Sequence, residues 1–189
     1  LDFFSGSGTT AHALFLANVA QQKKRKFILV QIPEGIDPAK SPAGKSRKVA
    51  ENAVTLLDSI GVKHTICEIG KERIRRAAKK IAEDNPSATF DCGFRVLKLD
   101  DSNMTDIYYS ANEYNQNMLA MLESNVKPDR SDLDLLFGCL LEWGLPLSLP
   151  YQSEQIEGCT VHTYNDGDLI ACFDENVSDS VVKTIAKRQ

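Results

Sequence analysis

The chain of 189 residues is 42% hydrophobic and 25% charged with a formal net charge of −4, the composition of an ordinary globular protein of one domain, or of one domain and a small second one. No apolar run reaches the roughly 18 residues that a membrane helix needs, and no basic stretch typical of a signal peptide precedes the apolar start. These features exclude a transmembrane protein. Because residue 1 is not Met, we expect a piece of a longer protein, and the cysteine usage described below favours a cytoplasmic location.

The first 35 residues alternate between apolar strands and a helix. Residues 1–4 predict a short strand, residues 5–8 a tight turn of small residues, and residues 9–20 a helix that one of its first two threonines can cap. The nearly continuous apolar run over 27–32 is typical of a strand buried on both faces of a parallel sheet. Together these segments predict a β-α-β unit of about 30 residues.

The segments that follow alternate between loops, helices and short extended stretches. They are, in chain order, a loop rich in Pro and Gly over 35–44, a helix over 45–60, a short strand or extended connection over 64–69, a strongly basic helix over 71–83 and a strand over 93–99. Gly61 is predicted to end the first of these helices, and Asn85-Pro86 the second.

The rest of the chain changes character. Its predicted elements are a polar loop over 100–112, a short helix over 113–123, an apolar helix over 132–143, strands over 158–164 and 169–173, and a final helix over 177–188. The two strands are joined by Asn165-Asp166-Gly167-Asp168, which is a strong hairpin signal. We therefore predict one domain over residues 1–110 and a small α+β C-terminal domain over residues 111–189.

The net charge conceals two halves of opposite sign. Residues 1–80 hold 15 Lys and Arg against 7 Asp and Glu, whereas residues 81–189 hold 7 against 19. The first half therefore either faces an anionic ligand or partner, or exposes solvated basic helix faces.

Cysteine and histidine usage argues against a metal-built or disulfide-built protein. The five cysteines are an odd number without a CxxC pair, which disfavours both a disulfide framework and a zinc knuckle. The three histidines stand apart from one another and from the cysteines, so we predict no metal site. This pattern also fits a reducing compartment.

The pattern that carries chemistry is the small-residue turn over 5–8. Backbone N–H groups and the positive end of a helix dipole face a ligand at such a turn. A nucleoside triphosphate is disfavoured, because a P-loop needs Lys where Thr9 stands. A dinucleotide remains an alternative, since the two glycines and Ala11 satisfy the loose GxGxxA pattern. A turn that binds no ligand remains an alternative as well. S-adenosylmethionine is favoured, because Asp2 suits its cationic amino acid portion and would repel a pyrophosphate.

The segment Asp2-x-Phe4-x-Gly6-Ser7-Gly8-Thr9-Thr10 resembles the cofactor-binding motif of amino-directed DNA methyltransferases, DPFxGSGTT. With residues 25–34, 69–81, 93–103 and 140–150, in that order, the chain resembles the C-terminal half of the modification subunit of type III restriction–modification systems. The resemblance implies a partial Rossmann-like, S-adenosylmethionine-dependent methyltransferase fold with the motif order of the β class, followed by a small α+β C-terminal domain.

The same resemblance implies a function and partners. The family methylates adenine N6 in duplex DNA, so the implied partners of the intact enzyme are duplex DNA, a second modification subunit in a homodimer, and a restriction helicase–nuclease subunit, with no membrane. The cofactor is S-adenosyl-L-methionine. The residues implied to bind it are Asp2, Phe4, Gly6, Ser7, Gly8, Thr9, Thr10, Gln31 and Glu34.

One position departs from the family pattern. An acidic residue normally ends the second strand and takes the ribose hydroxyls of the cofactor, and Gln31 occupies that place here. We therefore expect Glu34, three residues later, to supply the carboxylate.

Adenine methylation in this family also needs an Asp/Asn-Pro-Pro-Tyr/Phe motif, whose aromatic ring stacks on the flipped base. The seven prolines include no adjacent pair. Because the family places this motif and the target-recognition region before the glycine motif, we expect the catalytic residues upstream of Leu1 and no activity from this chain alone. The alternatives are a fragment of an NAD(P)-dependent oxidoreductase and a non-catalytic interaction module of a restriction complex.

Overall fold

The computed structural model describes residues 1–105 and 125–188. The chain divides into two compact units, Leu1–Phe94 and Arg95–Gln189. The predicted domain boundary after residue 110 and the predicted helix over 113–123 lie outside the described residues and stay predictions. Within the described ranges, no helix is both long enough and apolar enough to cross a membrane.

Three helices make up most of the first unit: α1 (Thr9–Gln21), α2 (Lys45–Ser59) and α3 (Ile66–Asp84). They confirm the helices predicted over 9–20, 45–60 and 71–83. The prediction that 64–69 is extended is wrong from Ile66 onward, because α3 begins there. Glu68 stabilises this earlier start, since its carboxylate lies in the first turn, where the helix dipole favours an anion, and bonds Lys71 at 2.5 Å.

The two extended segments that flank α1 pair in parallel at a single bridge, between Asp2 and Leu29. Asp2 N–H donates to the Ile28 carbonyl at 3.0 Å, and Val30 N–H donates to the Asp2 carbonyl at 2.8 Å. The β-α-β connection is therefore present in short form. The prediction that residues 27–32 are buried on both faces is wrong: Ile28 is 64% exposed, because the described chain supplies only one β neighbour to this segment.

The core of the first unit is the contact between α1 and α3. Phe15 of α1 packs with Ile74 and Ile81 of α3, and all three are at most 4% exposed. The rings of Phe27 and Phe90 lie edge-on against Phe15, with ring centroids 5.7 and 5.9 Å away. Burial at three- and four-residue intervals along α3 is the amphipathic pattern that fixes this helix against α1.

The basic connection after α1 is held by a buried amide. Asn18, 5% exposed, donates from its side chain to the Arg25 carbonyl at 2.9 Å and accepts the Arg25 N–H at 3.0 Å. Both hydrogen-bonding groups of the Arg25 backbone are therefore satisfied by one side chain. The four consecutive cations over 23–26 are exposed around this anchor.

The prediction of a strand over residues 93–99 is wrong. Leu97 and Leu99 are 57% and 98% exposed, and residues 93–99 have no β partner in the described ranges. An alternating pattern becomes a strand only where a neighbouring backbone satisfies its N–H and C=O groups. Here the Arg95 side chain makes the contacts instead: its guanidinium lies over the rings of Phe137 and Tyr151, at 5.1 and 5.5 Å from their centroids.

The second unit combines two helices with an antiparallel sheet. Its elements are α4 (Asp132–Glu142), β1 (Tyr151–Ile156), β2 (Cys159–Tyr164), β3 (Leu169–Cys172) and α5 (Asp179–Ala186). The strand order is β1-β2-β3. The helices predicted over 132–143 and 177–188 and the hairpin between 158–164 and 169–173 are confirmed. β1 was not predicted, because its four central residues are polar and exposed and show no alternation.

Tyr164 organises the core of this unit beneath α4. Its side chain is fully buried with Leu136 and Leu140. Its hydroxyl accepts the Leu149 N–H at 3.1 Å and donates to the Pro146 carbonyl. One side chain therefore satisfies two backbone groups in the segment between α4 and β1.

Tyr164→Phe is expected to lower the free energy of unfolding by about 1–3 kcal/mol, because it leaves the Leu149 N–H and the Pro146 carbonyl without a buried partner. Tyr151→Phe is the matched control, since Tyr151 is half-buried in the same cluster and its hydroxyl bonds none of the described residues. Urea denaturation of both variants measures the difference. Equal losses would show that the Tyr164 hydroxyl contributes nothing.

The glycine turn and α3 approach each other backbone to backbone. A Cβ built on Gly8 would lie 3.1 Å from the Gly70 carbonyl oxygen and 3.3 Å from Ile74 Cγ1. A Cβ built on Gly70 would lie 3.2 Å from the Gly6 carbonyl oxygen. Neither glycine has room for a side chain unless the backbones separate.

Gly8→Ala is therefore expected to lower the free energy of unfolding by about 2–4 kcal/mol, through left-handed backbone strain and displacement of α3. Gly61→Ala is the matched control: its φ of +67° is close to the +74° of Gly8, but a Cβ there meets nothing within 4 Å. Gly61→Ala should lower the free energy of unfolding only by the backbone strain, about 1–2 kcal/mol. Denaturation followed by circular dichroism compares them, and a Gly61→Ala loss as large as that of Gly8→Ala would contradict the close contact.

Candidate cofactor-binding site

The turn over residues 5–8 joins the first extended segment to α1, as predicted. It is closed by the Gly8 N–H, which donates to the Ser5 carbonyl at 2.8 Å. Gly6 and Gly8 have φ values of +51° and +74°, which glycine adopts without the penalty that a Cβ brings. The backbone conformation of the turn therefore requires glycine at positions 6 and 8.

The start of α1 carries no side-chain cap. Gly8 is the N-cap residue, and no side chain bonds the N–H groups of the first turn. The prediction that one of the first two threonines caps the helix is wrong, because the Thr10 hydroxyl donates to Asp2 Oδ2 at 2.6 Å instead. Among the described residues, the N–H groups at the positive end of the helix dipole therefore have no side-chain acceptor, and the Asp2 carboxylate reaches this helix start only through the Thr10 hydroxyl.

Asp2 is held rigidly beside this helix start. Its Oδ1 accepts the Phe4 N–H at 3.0 Å, while its Oδ2 accepts the Thr10 hydroxyl. The hydrogen bond from Thr10, and to a smaller extent the one from Phe4, holds the pKa of the Asp2 carboxyl below its ordinary value. Asp2 is therefore a fixed negative charge at neutral pH, and each of its oxygens keeps a second lone pair for a ligand.

Gln31 ties the second extended segment to the turn. Its Oε1 accepts the Gly6 N–H at 2.8 Å, and its Nε2 donates to the Ile32 carbonyl at 3.1 Å. The carbonyl of Gln31 faces the Cys67 thiol at 3.6 Å. A carboxylate at this position could accept from Gly6 but could not donate to Ile32, so the amide suits both contacts.

Glu34 lies farther along the same segment and is exposed. Its backbone carbonyl accepts the Ile66 N–H at 3.0 Å, which attaches the segment to the start of α3. No side chain of the described ranges bonds its carboxylate. Its role toward the ribose therefore stays a prediction.

The side chains of the remaining predicted site residues lie around the turn and bond neither Asp2 nor Gln31. The Phe4 ring is 90% exposed. The hydroxyls of Ser7 and Thr9 lie 3.5 Å apart. The structure therefore bonds Asp2 to Thr10 and to the Phe4 N–H, and separately bonds Gln31 to Gly6. It places Gly8 against α3 and leaves the side chains of Phe4 and Glu34 exposed.

Gly70, which was not predicted as a site residue, helps to shape this region, whereas His12 does not. Gly70 lets α3 contact the turn, and its signal in the sequence is a glycine inside an otherwise strong helical pattern. His12, one turn into α1, lines a separate cavity of about 380 Å³ with Leu56 of α2 and Arg73 of α3. It therefore faces the helix packing and not the turn.

The basic side chains of α3 are largely paired along the helix itself. Glu72 bonds Arg76 at 2.6 Å and lies 3.7 Å from Arg75. Lys79 and Lys80 lie 3.9 and 3.8 Å from carboxylates one turn later, at Glu83 and Asp84. Of the two interpretations of the basic half, this pairing favours a solvated helix face over an anion-binding one for α3.

Comparison with curated proteins identifies three relatives. The Mod subunit of the type III restriction-modification enzyme StyLTI from Salmonella typhimurium is 41% identical over 95 residues, which are 50% of this chain and 12% of that protein. The EcoPI Mod subunit of Escherichia phage P1 is 29% identical over 165 residues (87% of this chain, 22% of that protein). The EcoP15I Mod subunit of Escherichia coli is 30% identical over 172 residues (86% of this chain, 21% of that protein).

The chain spans about a fifth or less of the length of these relatives. No family model matches it, and no solved structure matches it. Two of the alignments cover more than four-fifths of the chain and therefore include most of both units. By these alignments, the chain belongs with the Mod subunits of type III restriction-modification enzymes and corresponds to one part of their length.

Proposed function

We propose that this chain carries the S-adenosylmethionine-binding part of a DNA methyltransferase that modifies adenine N6, in a partial Rossmann-like fold followed by a small α+β domain. Similarity to three Mod subunits supports the assignment to a modification enzyme. For the whole protein we expect duplex DNA, a second modification subunit and a restriction helicase–nuclease subunit as partners, in the cytoplasm.

The observation that carries this proposal is a pair of opposite charges held side by side at the glycine turn. The Asp2 carboxylate is fixed by Thr10, a first-turn residue of α1, while the uncapped start of that helix is electropositive. The amino acid portion of S-adenosylmethionine is a zwitterion with an ammonium and a carboxylate. The ammonium suits Asp2 and the carboxylate suits the helix start.

The same arrangement disfavours a dinucleotide. A pyrophosphate at the start of α1 carries no ammonium to pair with Asp2, so its negative charge and that of the Asp2 carboxylate would repel without compensation. Because the pKa of Asp2 is lowered, protonation does not relieve this repulsion at neutral pH. The GxGxxA match alone therefore gives weak support for NAD(P).

The turn also fits a close-lying cofactor sterically. A Cβ built on Gly6 would meet only the Phe4 carbonyl oxygen, at 4.0 Å, so the absent side chain leaves open space beside the turn. The exposed Phe4 ring offers an apolar surface at the same place. Asp2, Gly6 and Phe4 would thus hold the methionine and adenosine portions, and Glu34 would take the ribose hydroxyls because the Gln31 amide is occupied by Gly6.

When bound, the cofactor supplies a methyl group on a sulfonium, which is already a good leaving group. The contribution of this chain is to bind and orient that group. The rigid links from Asp2 to Phe4 and Thr10 fix the amino acid end, and the link from Gln31 to Gly6 fixes the turn beneath it. Positioning of this kind is a major source of acceleration in displacement reactions.

Calorimetric titration of the chain tests the cofactor assignment. S-adenosylhomocysteine should bind, and Asp2→Asn should weaken its binding by roughly fivefold, the effect of one ion pair at contact distance in water. Methylthioadenosine lacks the amino acid portion, so its affinity should be the same in both proteins. Asp91→Asn, an exposed carboxylate of the same unit, is the matched control and should change neither affinity.

Two results of these titrations would contradict the proposal. One is binding of NAD without binding of S-adenosylhomocysteine, which would support the oxidoreductase. The other is an equal effect of Asp2→Asn on both adenosine ligands, which would remove Asp2 from the amino acid end.

The chain alone is expected to transfer no methyl group to duplex DNA, because its sequence contains no Asp/Asn-Pro-Pro-aromatic motif to hold the target adenine. Incubation with tritiated S-adenosylmethionine and duplex DNA measures this directly. Incorporation above a DNA-free control would contradict the prediction. Failure to bind any adenosine cofactor would instead favour a non-catalytic interaction module.

A further inference from the structure

Two cysteines and an aspartate meet at one corner of the C-terminal sheet. Cys159 begins β2, Cys172 ends β3, and Asp174 follows two residues later. Their two Sγ atoms and a carboxylate oxygen all lie within 4.8 Å of one another. This cluster belongs to the second unit and has no part in the cofactor site.

Strand register explains why these residues meet. Val161 pairs with Cys172 in the antiparallel ladder, and Cys159 precedes Val161 by two residues. Side chains two apart in a strand share one face, so Cys159, Val161 and Cys172 all lie on the same face of the sheet. The sequence analysis found no CxxC pair because the two cysteines approach across a hairpin.

We propose that Cys159, Cys172 and Asp174 bind a thiophilic divalent cation such as Zn²⁺. With Zn–S bonds of about 2.3 Å and Zn–O bonds of about 2.0 Å, tetrahedral geometry separates two sulfurs by about 3.8 Å and a sulfur from an oxygen by about 3.5 Å. Cys172 Sγ lies 3.4 Å from Asp174 Oδ2. The spacing of this pair, in which the Cys172 thiol donates to the carboxylate, therefore matches that of two ligands of one cation, and Cys159 Sγ lies within 4.8 Å of both atoms.

The surroundings of the cluster hold its members in place. Asp174 Oδ2 accepts the Thr160 N–H at 2.6 Å, which orients the carboxylate toward the thiols. Cys159 is 7% exposed and packs with Val161 and Val181, so its position is set by the core. Asp174 is exposed, which leaves a side open for a water as fourth ligand.

The donor set selects the kind of cation. Two thiolates with one carboxylate favour Zn²⁺, Co²⁺ or Cd²⁺ over Mg²⁺ or Ca²⁺, which prefer oxygen ligands. On binding, the two thiols release their protons to solvent and the cation bonds both sulfurs. The bound cation would join the end of β3 and the segment before α5 to the start of β2.

A disulfide between the two cysteines fits this geometry less well. Residues diagonal to each other in an antiparallel pair have Cα atoms about 7–8 Å apart, whereas a disulfide needs about 4.4–6.8 Å. A cation spans the longer distance because it adds two bonds between the sulfurs.

Co²⁺ titration of the 189-residue chain under a non-metal-binding reductant tests the site. One equivalent should give the thiolate-to-cobalt charge-transfer band and the intense visible bands of tetrahedral Co²⁺, and Zn²⁺ should displace it. Cys172→Ser and Asp174→Asn should each weaken binding by more than about tenfold, the smallest loss usual for an outer-shell partner. Cys139→Ser is the matched control, a half-buried cysteine of the same unit, and should bind unchanged.

Asp174→Asn alters an exposed side chain, so it keeps the test informative should a cysteine variant fail to fold. Three results would overturn the site: no stoichiometric Co²⁺ binding, octahedral spectra without charge transfer, or equal weakening by Cys139→Ser. A Cys159–Cys172 disulfide that persists under this reductant, seen as a mass two hydrogens below that of the dithiol, would overturn it as well.

Discussion

The first unit depends on one close backbone contact, between the glycine turn and Gly70 of α3. This contact sets the distance at which α1 crosses α3, and with it the packing of Phe15 against Ile74 and Ile81. It also sets the distance between the turn and α3, so the turn is positioned by α3 as much as by the extended segment before it. A tight turn is usually explained by its ligand, but here Gly8 is required by its neighbour and Gly6 is the glycine that faces open space.

Two side chains, Gln31 and Asp2, stabilise the turn beside this contact. Gln31 stabilises the turn from one side through the Gly6 N–H, and Asp2 connects the first segment to α1 through Thr10. An acidic residue in place of Gln31 would lose the bond to the Ile32 carbonyl. The departure from the family pattern at this position therefore has a local structural explanation in the hydrogen bonds of the amide.

Local pattern predicted the helices and the hairpin well, because their signals are periodicity and turn chemistry within a few residues. It failed where burial depends on distant partners: within the described ranges, residues 27–32 pair on one side only, and residues 93–99 have no β partner. Strand β1 was missed for the opposite reason, since it forms through pairing with β2 although its own side chains are polar. For the candidate site, the motif identified the turn, but the hydrogen bonds that join Asp2 to Thr10 and Gln31 to Gly6 needed the fold.

The ion pairs along α3 change where the positive potential of the first half arises. This helix has six cationic and four anionic side chains, so its field resembles that of a row of dipoles and decays quickly with distance. The four cations over 23–26, by contrast, form no salt bridge with a carboxylate of the described residues, and the buried Asn18 amide holds their backbone in place. The positive potential of the first half therefore arises at this short connection more than at the helix with the most basic sequence.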